Sequence, residues 1–359
     1  MPAQSFSKKY SLLKAYFNNA YNHIAGNLSF NGVYKPERIY IIPTYKCNLR
    51  CKHCCSPHAG SELTTDKWKE VIQSLKKWLG YFSLYIIGGE PLMYKDIIDI
   101  ISFSSGVGIF TIMCSNGTLM NKEISEKIVE SGLNIISLSL DGINEKTHDT
   151  LRGEGSYKKV IDAFGYFKNR LRISINTVVM NHNIDELGGL VDFAERNKVW
   201  IRFQGLNWQS NAYTNFLKAQ DNELWPKDII KVEKALDELI ARKKKHQRIS
   251  NSLRHLKAIR YYYRWPGKNM NYRCQVRKNM YIRPNGSVKY CSPLEEIGNV
   301  TIEEPEKIWE SEKALYVRTK INKCPANCTY YSCSFHENLL EKMSHFKDVV
   351  HCYFKNLGN

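Results

Sequence analysis

Pro43-Thr44-Tyr45-Lys46-Cys47-Asn48-Leu49-Arg50-Cys51-Lys52-His53-Cys54 is the stretch that decides the fold of this 359-residue chain. Its cysteines, Cys47, Cys51 and Cys54, follow the spacing C-x3-C-x2-C, short enough for all three sulfurs to converge from one loop. Three thiolates can hold three corners of a cubane [4Fe–4S] cluster and leave the fourth iron open to a ligand, and an open metal position is where chemistry occurs. Thiolates suit zinc as well. On that reading Cys55, His53 or His58 completes a structural site; on a third, the cysteines are inert buried thiols.

The apolar run Ile39-Tyr40-Ile41-Ile42 precedes this loop, and about 35 residues after it comes Leu84-Tyr85-Ile86-Ile87-Gly88-Gly89-Glu90-Pro91. The two motifs in this order resemble the radical S-adenosylmethionine (SAM) enzymes. The resemblance implies that Cys47, Cys51 and Cys54 bind a [4Fe–4S] cluster whose open iron is chelated by the amino and carboxylate groups of SAM. It also implies that Gly88, Gly89, Glu90 and Pro91 contact the SAM amino group. The residues fit: glycines let backbone approach a ligand without a Cβ clash, and a carboxylate accepts hydrogen bonds from an ammonium. An ordinary strand-to-loop turn is the alternative for Gly88–Pro91.

Length suggests two domains. The first residues show no continuous apolar segment followed by a small-residue cleavage site, so no export signal is expected. The most apolar stretch, 97–114, is interrupted by Asp99 and by Ser104-Ser105-Gly106, and reads as helix end, turn and strand. The chain has 11 cysteines; without an export signal these argue for metal binding in a reducing, cytoplasmic compartment.

One rhythm runs through the first two thirds. Apolar, β-branched runs at 38–42, 84–88, 109–114, 135–140, 172–179 and 199–204 predict strands. Helical patterns fall at 64–79, 92–103, 121–131, 156–169, 184–196 and 226–246, with caps expected at Thr64-Thr65-Asp66, Asn121 and Ser156. Strand–helix alternation predicts an α/β fold with a parallel sheet. Six units match the partial (β/α)6 TIM-like barrel that the resemblance implies, and both motifs lie at strand C-terminal ends, where such barrels gather their ligand loops. The expected organisation is a basic amphipathic extension (1–37), a barrel core (38–225), a basic linker helix region (226–265) and a cysteine-rich auxiliary domain (266–359).

Strand four ends in Ser137-Leu138-Ser139-Leu140-Asp141-Gly142, followed by His148-Asp149-Thr150-Leu151-Arg152-Gly153. This pattern resembles peptide-modifying radical SAM enzymes, and implies Ser139 as a ribose contact and Arg152 as a SAM carboxylate contact. Asn116 and Asp141 are further candidates, each of which could equally cap a turn. Cys114 reads as a packed strand-end thiol.

Cys274, Cys291, Cys324, Cys328, Cys333 and Cys352 form a second set. Gly286-x4-Cys291 resembles the start of a SPASM or twitch domain, which implies auxiliary iron–sulfur clusters. Asn285-Gly286 is also a hairpin signal that would bring Cys274 and Cys291 together. The run from Cys324 to Cys333 departs from the seven-cysteine SPASM pattern, so one auxiliary [4Fe–4S] cluster is expected rather than two. Its ligands are either Cys274, Cys291 and two of the later cysteines, or Cys324, Cys328, Cys333 and Cys352. A zinc ribbon is the alternative.

The net charge is +17, and residues 239–294 hold 15 Lys or Arg and no Asp or Glu. With Tyr261-Tyr262-Tyr263 and Trp265, that segment has the composition of an anion or nucleic-acid surface, or of a solvated helix face joining two domains. No RNA-binding motif accompanies it, so an acidic or phosphorylated substrate is the preferred functional reading. Residues 8–24 have helical spacing and, with Lys8, Lys9 and Lys14, could lie on a membrane surface or pack on the barrel. The resemblance implies an electron donor such as flavodoxin or ferredoxin, reductive SAM cleavage to a 5′-deoxyadenosyl radical, and abstraction of a substrate hydrogen. A peptide is the first expectation for the substrate. A small sugar, nucleotide or aminoglycoside is the second, and a non-catalytic metal- and nucleic-acid-binding protein the third.

Overall fold

A computed structural model of the chain describes residues 35–54, 56, 59–206, 222–266, 274–291 and 294–324. Residues 8–24, Cys55, His58, Cys328, Cys333 and Cys352 lie outside them. Six strands, β1 (Arg38–Ile41), β2 (Ser83–Ile86), β3 (Phe110–Ser115), β4 (Ile135–Ser139), β5 (Arg172–Val179) and β6 (Trp200–Gly205), pair in parallel in chain order. Helices α1 (Thr65–Leu79), α2 (Ile97–Gly106), α3 (Lys122–Glu130), α4 (Glu145–Arg152), α5 (Ser156–Phe167) and α6 (Leu187–Arg196) make the crossovers. Then come α7 (Ile229–Lys244), α8 (Leu253–Arg264), β7 (Asn279–Ile282), β8 (Ser287–Lys289), β9 (Gly298–Asn299), α9 (Pro305–Glu310) and α10 (Glu312–Asn322). This is the expected α/β partial barrel.

The crossovers form for local reasons. Thr64 caps α1 by accepting from Lys67 N, and Trp68, Val71, Ile72, Leu75 and Leu79 make its buried stripe. Asn121 caps α3 by accepting from Ile124 N. The outward side chains of the strands, such as Ile39, Ile41, Leu84, Ile86, Met113, Leu138 and Ile201, are wholly buried. The opposite face is less buried and carries Ser139, Ser174, Asn176 and Arg202, so the later strands alternate between apolar and polar positions.

The sheet does not end at β1. β7 pairs in parallel with its free edge, Ile41 opposite Ile282, and β8 and β9 continue antiparallel, giving the order β6-β5-β4-β3-β2-β1-β7-β8-β9. The expected hairpin at Asn285-Gly286 joins β7 to β8, with Gly286 at φ +82°. At the other edge, Asn251 covers β6: its Oδ1 accepts from Phe203 N and its Nδ2 donates to Phe203 O, both at 2.8 Å. An exposed edge strand is thereby blunted.

Several boundaries differ from expectation. The helix expected at 92–103 is a 3₁₀ turn, Pro91–Met93, then α2, because Tyr94 is extended. Gly155, left-handed at φ +70°, holds the N-cap expected at Ser156; Ser156 is the first helical residue, and its Oγ donates to Asp149 Oδ1. The pattern at 184–196 divides into a 3₁₀ turn, Asn181–Glu186, and α6. Among the described residues no helix is long and apolar enough to cross a membrane.

Candidate active site

The loops after β1 to β4 meet at one end of the sheet. The loop after β2 passes so close to the cysteine loop that side chains are excluded: a Cβ on Gly88 (φ +141°) would lie 2.5 Å from Thr44 O, and one on Gly89 2.2 Å from Lys46 O. Gly89 N donates to Thr44 O (3.1 Å) and Glu90 N to Lys46 O (2.8 Å), locking the two loops backbone to backbone.

Glu90 carries this clamp on to the third loop. Its side chain is fully buried. Oε1 accepts from Ser115 Oγ (2.8 Å) and Leu92 N (3.3 Å), and Oε2 from Asn116 N (2.8 Å). Burial outweighs these hydrogen bonds and pushes its carboxyl up to about 7. Asn116 does two things at once. Its Oδ1 accepts from Thr118 N and Oγ1 in a tight turn, while its Nδ2 donates to Asn48 Oδ1 (3.0 Å) and reaches Cys47 Sγ (3.8 Å).

A second clamp holds Cys51. Asp141 and Arg152 are both buried, Arg152 Nε donating to Asp141 Oδ2 at 2.6 Å. Asp141 Oδ1 also accepts from Val178 N (2.8 Å). Burial raises the Asp141 carboxyl, but the Arg152 charge, His53 and the Val178 hydrogen bond together bring it below the usual range. Arg152 Nη1 approaches Cys51 Sγ (3.9 Å), and Lys52 N donates to Leu151 O (2.9 Å), so α4 is tied to the cysteine loop. Burial lowers both His53 and His148 to about 4, which leaves them neutral.

The thiols are dressed by donors. Leu49 N donates to Cys47 Sγ (3.5 Å) and Ser56 N to Cys54 Sγ (3.4 Å). Burial raises Cys47 and pushes Cys51 up to about 11, with Arg152 opposing it at Cys51. Among the described residues no three His, Cys, Asp or Glu side chains enclose a single-ion position; a cubane spreads its thiolates over separate irons. Ser139 is half-buried at the end of β4, in register with Asn176.

Of the second cysteine set, Cys274, Cys291 and Cys324 are described, all half-buried and outside any disulfide. Register places Cys291 opposite Asn279, and Cys274 lies one 3₁₀ turn before it, at the same end of the hairpin. Among the described residues the basic segment is divided: Arg277 and Lys278 are buried, while Lys244, Lys245, Arg254, Lys257 and Arg264 are exposed. Tyr262 and Tyr263 are core residues whose hydroxyls donate to Leu206 O and Val179 O. Arg242 pairs with Asp192 and Glu238, Arg260 with Glu233 and Asp237, and Arg264 with Glu233. Sequence reasoning passed over Asn48 and Thr118, which join the cysteine loop to the β3 loop, and Ser115, which ties the end of β3 to Glu90; they are separated in sequence and have no shared spacing to betray them.

Comparison with known proteins gives two family matches: a model described as the radical SAM superfamily over residues 41–194, and one described as an iron-sulfur cluster-binding domain, SPASM, over 274–334. An AdoMet-dependent heme synthase of Methanosarcina barkeri is 33% identical over 158 residues, 42% of this chain and 45% of that protein. A PqqA peptide cyclase of Bradyrhizobium diazoefficiens is 26% identical over 165 residues, 44% and 43% respectively. The chain thus spans under half the length of these curated relatives. Among solved structures, Streptococcus suis SuiB bound to the precursor peptide SuiA superposes with a TM-score of 0.66 at 21% identity, over 84% of this chain and 71% of that one. The protein anSMEcpe with bound AdoMet and Cp18Cys peptide does so with a TM-score of 0.60 at 16% identity, over 89% and 98%. At these identities the likeness is one of fold.

Proposed function

We propose, since this chain belongs to the radical SAM superfamily and is an enzyme whose cofactors are SAM and iron–sulfur clusters, that it oxidatively modifies or crosslinks a peptide. The observation that carries the reading is the double clamp: Gly88 and Gly89 pressed against Thr44 and Lys46, and Arg152 bridging Asp141 and Cys51. It gathers both family motifs at one end of the barrel. In this reading Cys47, Cys51 and Cys54 would hold the SAM-binding cluster. Gly88–Pro91 would receive the amino end of SAM, and Ser139, Arg152, Asn116 and Asp141 its ribose and carboxylate.

Held by these residues, the cluster and SAM would supply one-electron radical chemistry able to act on an unactivated C–H bond. The chain's part is to position and insulate. N–H donors from Leu49 and Asn116 favour thiolate over thiol at Cys47, and Arg152 adds a positive charge beside Cys51. Glu90 has three protein donors already, so a carboxylate with about four acceptor positions retains about one for an ammonium. Cys274, Cys291 and Cys324, with partners among Cys328, Cys333 and Cys352, would hold one auxiliary cluster able to accept an electron from the substrate radical. A flavodoxin or ferredoxin would supply the priming electron, and the free thiols suit a reducing, cytoplasmic setting.

The PqqA peptide cyclase, and the fold likeness to SuiB bound to its precursor peptide, support the substrate class. The heme synthase match favours a second reading, a small anionic substrate. The test is anaerobic reconstitution with a reductant and a precursor peptide encoded beside the enzyme. Formation of 5′-deoxyadenosine together with a peptide lighter by a pair of hydrogens is expected. Cluster-loaded protein that makes no 5′-deoxyadenosine with any substrate overturns the enzyme reading, and acceleration by a porphyrin but not by peptide selects the second.

A further inference from the structure

We propose that the Lys289 ammonium, with the Arg283 guanidinium beside it, raises the reduction potential of the auxiliary cluster and so fits it to take an electron from the substrate radical. The inference rests on the reading in which Cys291 is a ligand of that cluster.

The β7–β8 hairpin places both cations. Tyr281 is in register with Lys289 and Ile282 with Val288, and Arg283 N donates to Ser287 O (2.9 Å). Residues directly opposite across an antiparallel pair share a face, as do residues two apart along a strand. Ile282 and Val288 are wholly buried on one face. The other carries Tyr281, whose ring stacks on Tyr40 with centroids 4.3 Å apart, and Arg283 two residues on. It also carries Lys289 at the end of β8, two residues before Cys291.

The two cations stand between the two cysteine sets. Arg283 Nε donates to the hydroxyl of Tyr45 (2.5 Å), two residues before Cys47, and its guanidinium lies 5.6 Å from the centre of the Tyr45 ring. Leu63 N donates to Pro284 O (2.7 Å), which holds the hairpin against the chain ahead of α1. Burial, and then Arg283, pull the Lys289 ammonium below its usual range, opposed by Glu296, the Cys291 thiol and Glu295. Both acids are already paired, Glu296 with Arg283 (3.3 Å) and Glu295 with Lys320 (2.7 Å). Lys289 Nζ is half-buried and makes no hydrogen bond or ion pair among the described residues. Two cations sharing one carboxylate leave a positive charge over, and like charges held partly out of water are costly until an anion faces them. A cluster held by thiolates is such an anion, and net charge is one of the quantities that set its potential. Reduction adds one negative charge, so a fixed cation stabilises the reduced form more than the oxidised one. In that step the substrate radical gives one electron to the cluster and a proton to solvent, and no further reactant is consumed.

The test is a redox titration of anaerobically reconstituted full-length protein, followed by low-temperature EPR. The SAM-binding cluster is identified by the change that added SAM makes in its signal. In Lys289→Gln the reduction equilibrium of the auxiliary cluster should fall about tenfold, about 59 mV for one electron, the scale of one unit charge nearby. Lys289→Arg should keep the wild-type midpoint, and the SAM-binding cluster should move far less in either variant. Iron content and the urea midpoint, unchanged in both, separate an effect of charge from one of folding. If Lys289→Gln loses auxiliary iron, Lys289→Met takes its place. An auxiliary midpoint that stays put in the neutral variant, with iron complete, overturns the proposal. So does an equal shift in Lys289→Arg, which would assign the effect to packing. If wild type shows no second reducible cluster, or Cys291→Ala leaves its signal unaltered, the auxiliary-ligand reading itself fails and this inference falls with it.

Discussion

Replacing Gly89 with alanine should pull the cysteine loop away from the strand ends. The new Cβ would stand 2.2 Å from Lys46 O and 2.5 Å from Tyr45 O. Both obstacles are backbone, so neither can rotate aside. Room appears only if residues 44–46 retreat, which breaks the bonds from Gly89 N to Thr44 O and from Glu90 N to Lys46 O. At about 1 kcal/mol net for each bond and about 1–3 kcal/mol for overpacking, the substitution costs roughly 3–5 kcal/mol. Gly165 is the control: it lies inside α5 with nothing within 4 Å of its Cβ position, and alanine there should stabilise by about 0.4–1 kcal/mol. Urea unfolding of anaerobically loaded protein measures both effects, and iron content with the low-temperature EPR signal of the SAM-binding cluster measures the local one. A Gly89→Ala protein with the wild-type midpoint and a full iron complement would refute the claim that this contact holds the loop.

Changing Cys47, Cys51 or Cys54 singly to alanine should abolish SAM cleavage while auxiliary iron is retained; cleavage that persists would remove that cysteine from the ligand set. Asp141→Asn leaves the Arg152 guanidinium buried without its carboxylate, and should cost about 3–5 kcal/mol in urea unfolding. Because the folded Asp141 carboxyl sits below its usual range, its contribution is present above the unfolded value and is lost as pH falls through the folded one, so wild type should lose stability in acid more steeply than the variant. Glu90 has the opposite sign. Its folded value near 7 lies above the ordinary 4.5, so the native chain holds a proton that the unfolded chain releases, and stability should decline as pH rises through that window. Glu90→Gln should flatten this decline, and an unchanged slope between about pH 5 and 7 would assign it to another group.

The barrel was legible because each strand keeps an apolar, largely β-branched face buried under the helices, as Ile39, Ile41, Leu84, Ile86, Leu138, Ile175 and Ile201 do, and because these runs alternate with helical patterns. The motifs were legible because each occupies one loop. What stayed hidden depends on distance in sequence. α4 is a short polar helix that buries only His148, Leu151 and Arg152, too sparse a stripe to reveal a helix. α8 conceals its buried Leu256, Ile259, Tyr262 and Tyr263 among cations and exposed aromatics, so it reads as a basic surface. Asn116 and Asp141 could not be divided between turn and site from sequence; in the fold one end of the Asn116 amide closes the turn and the other reaches Cys47. Glu90 reads as an open acceptor. Its occupation by Ser115 and Asn116 follows only from the adjacency of β2 and β3.

The pairing of β7 with β1 sets a schedule for synthesis. Ile41 waits for Ile282, about 240 residues further along the chain. Throughout that interval β1 presents an apolar, hydrogen-bond-hungry border, the kind of template on which neighbouring chains aggregate. At about 5–20 residues per second of translation the gap lasts about 12 to 50 seconds. The barrel can condense during that time, but its first strand is sealed only when the hairpin of the cysteine-rich region arrives. A chain shortened before residue 279 would keep both SAM motifs and leave that border open, so poor solubility of such a fragment would reflect the missing neighbour of β1 rather than any fault in the motifs themselves.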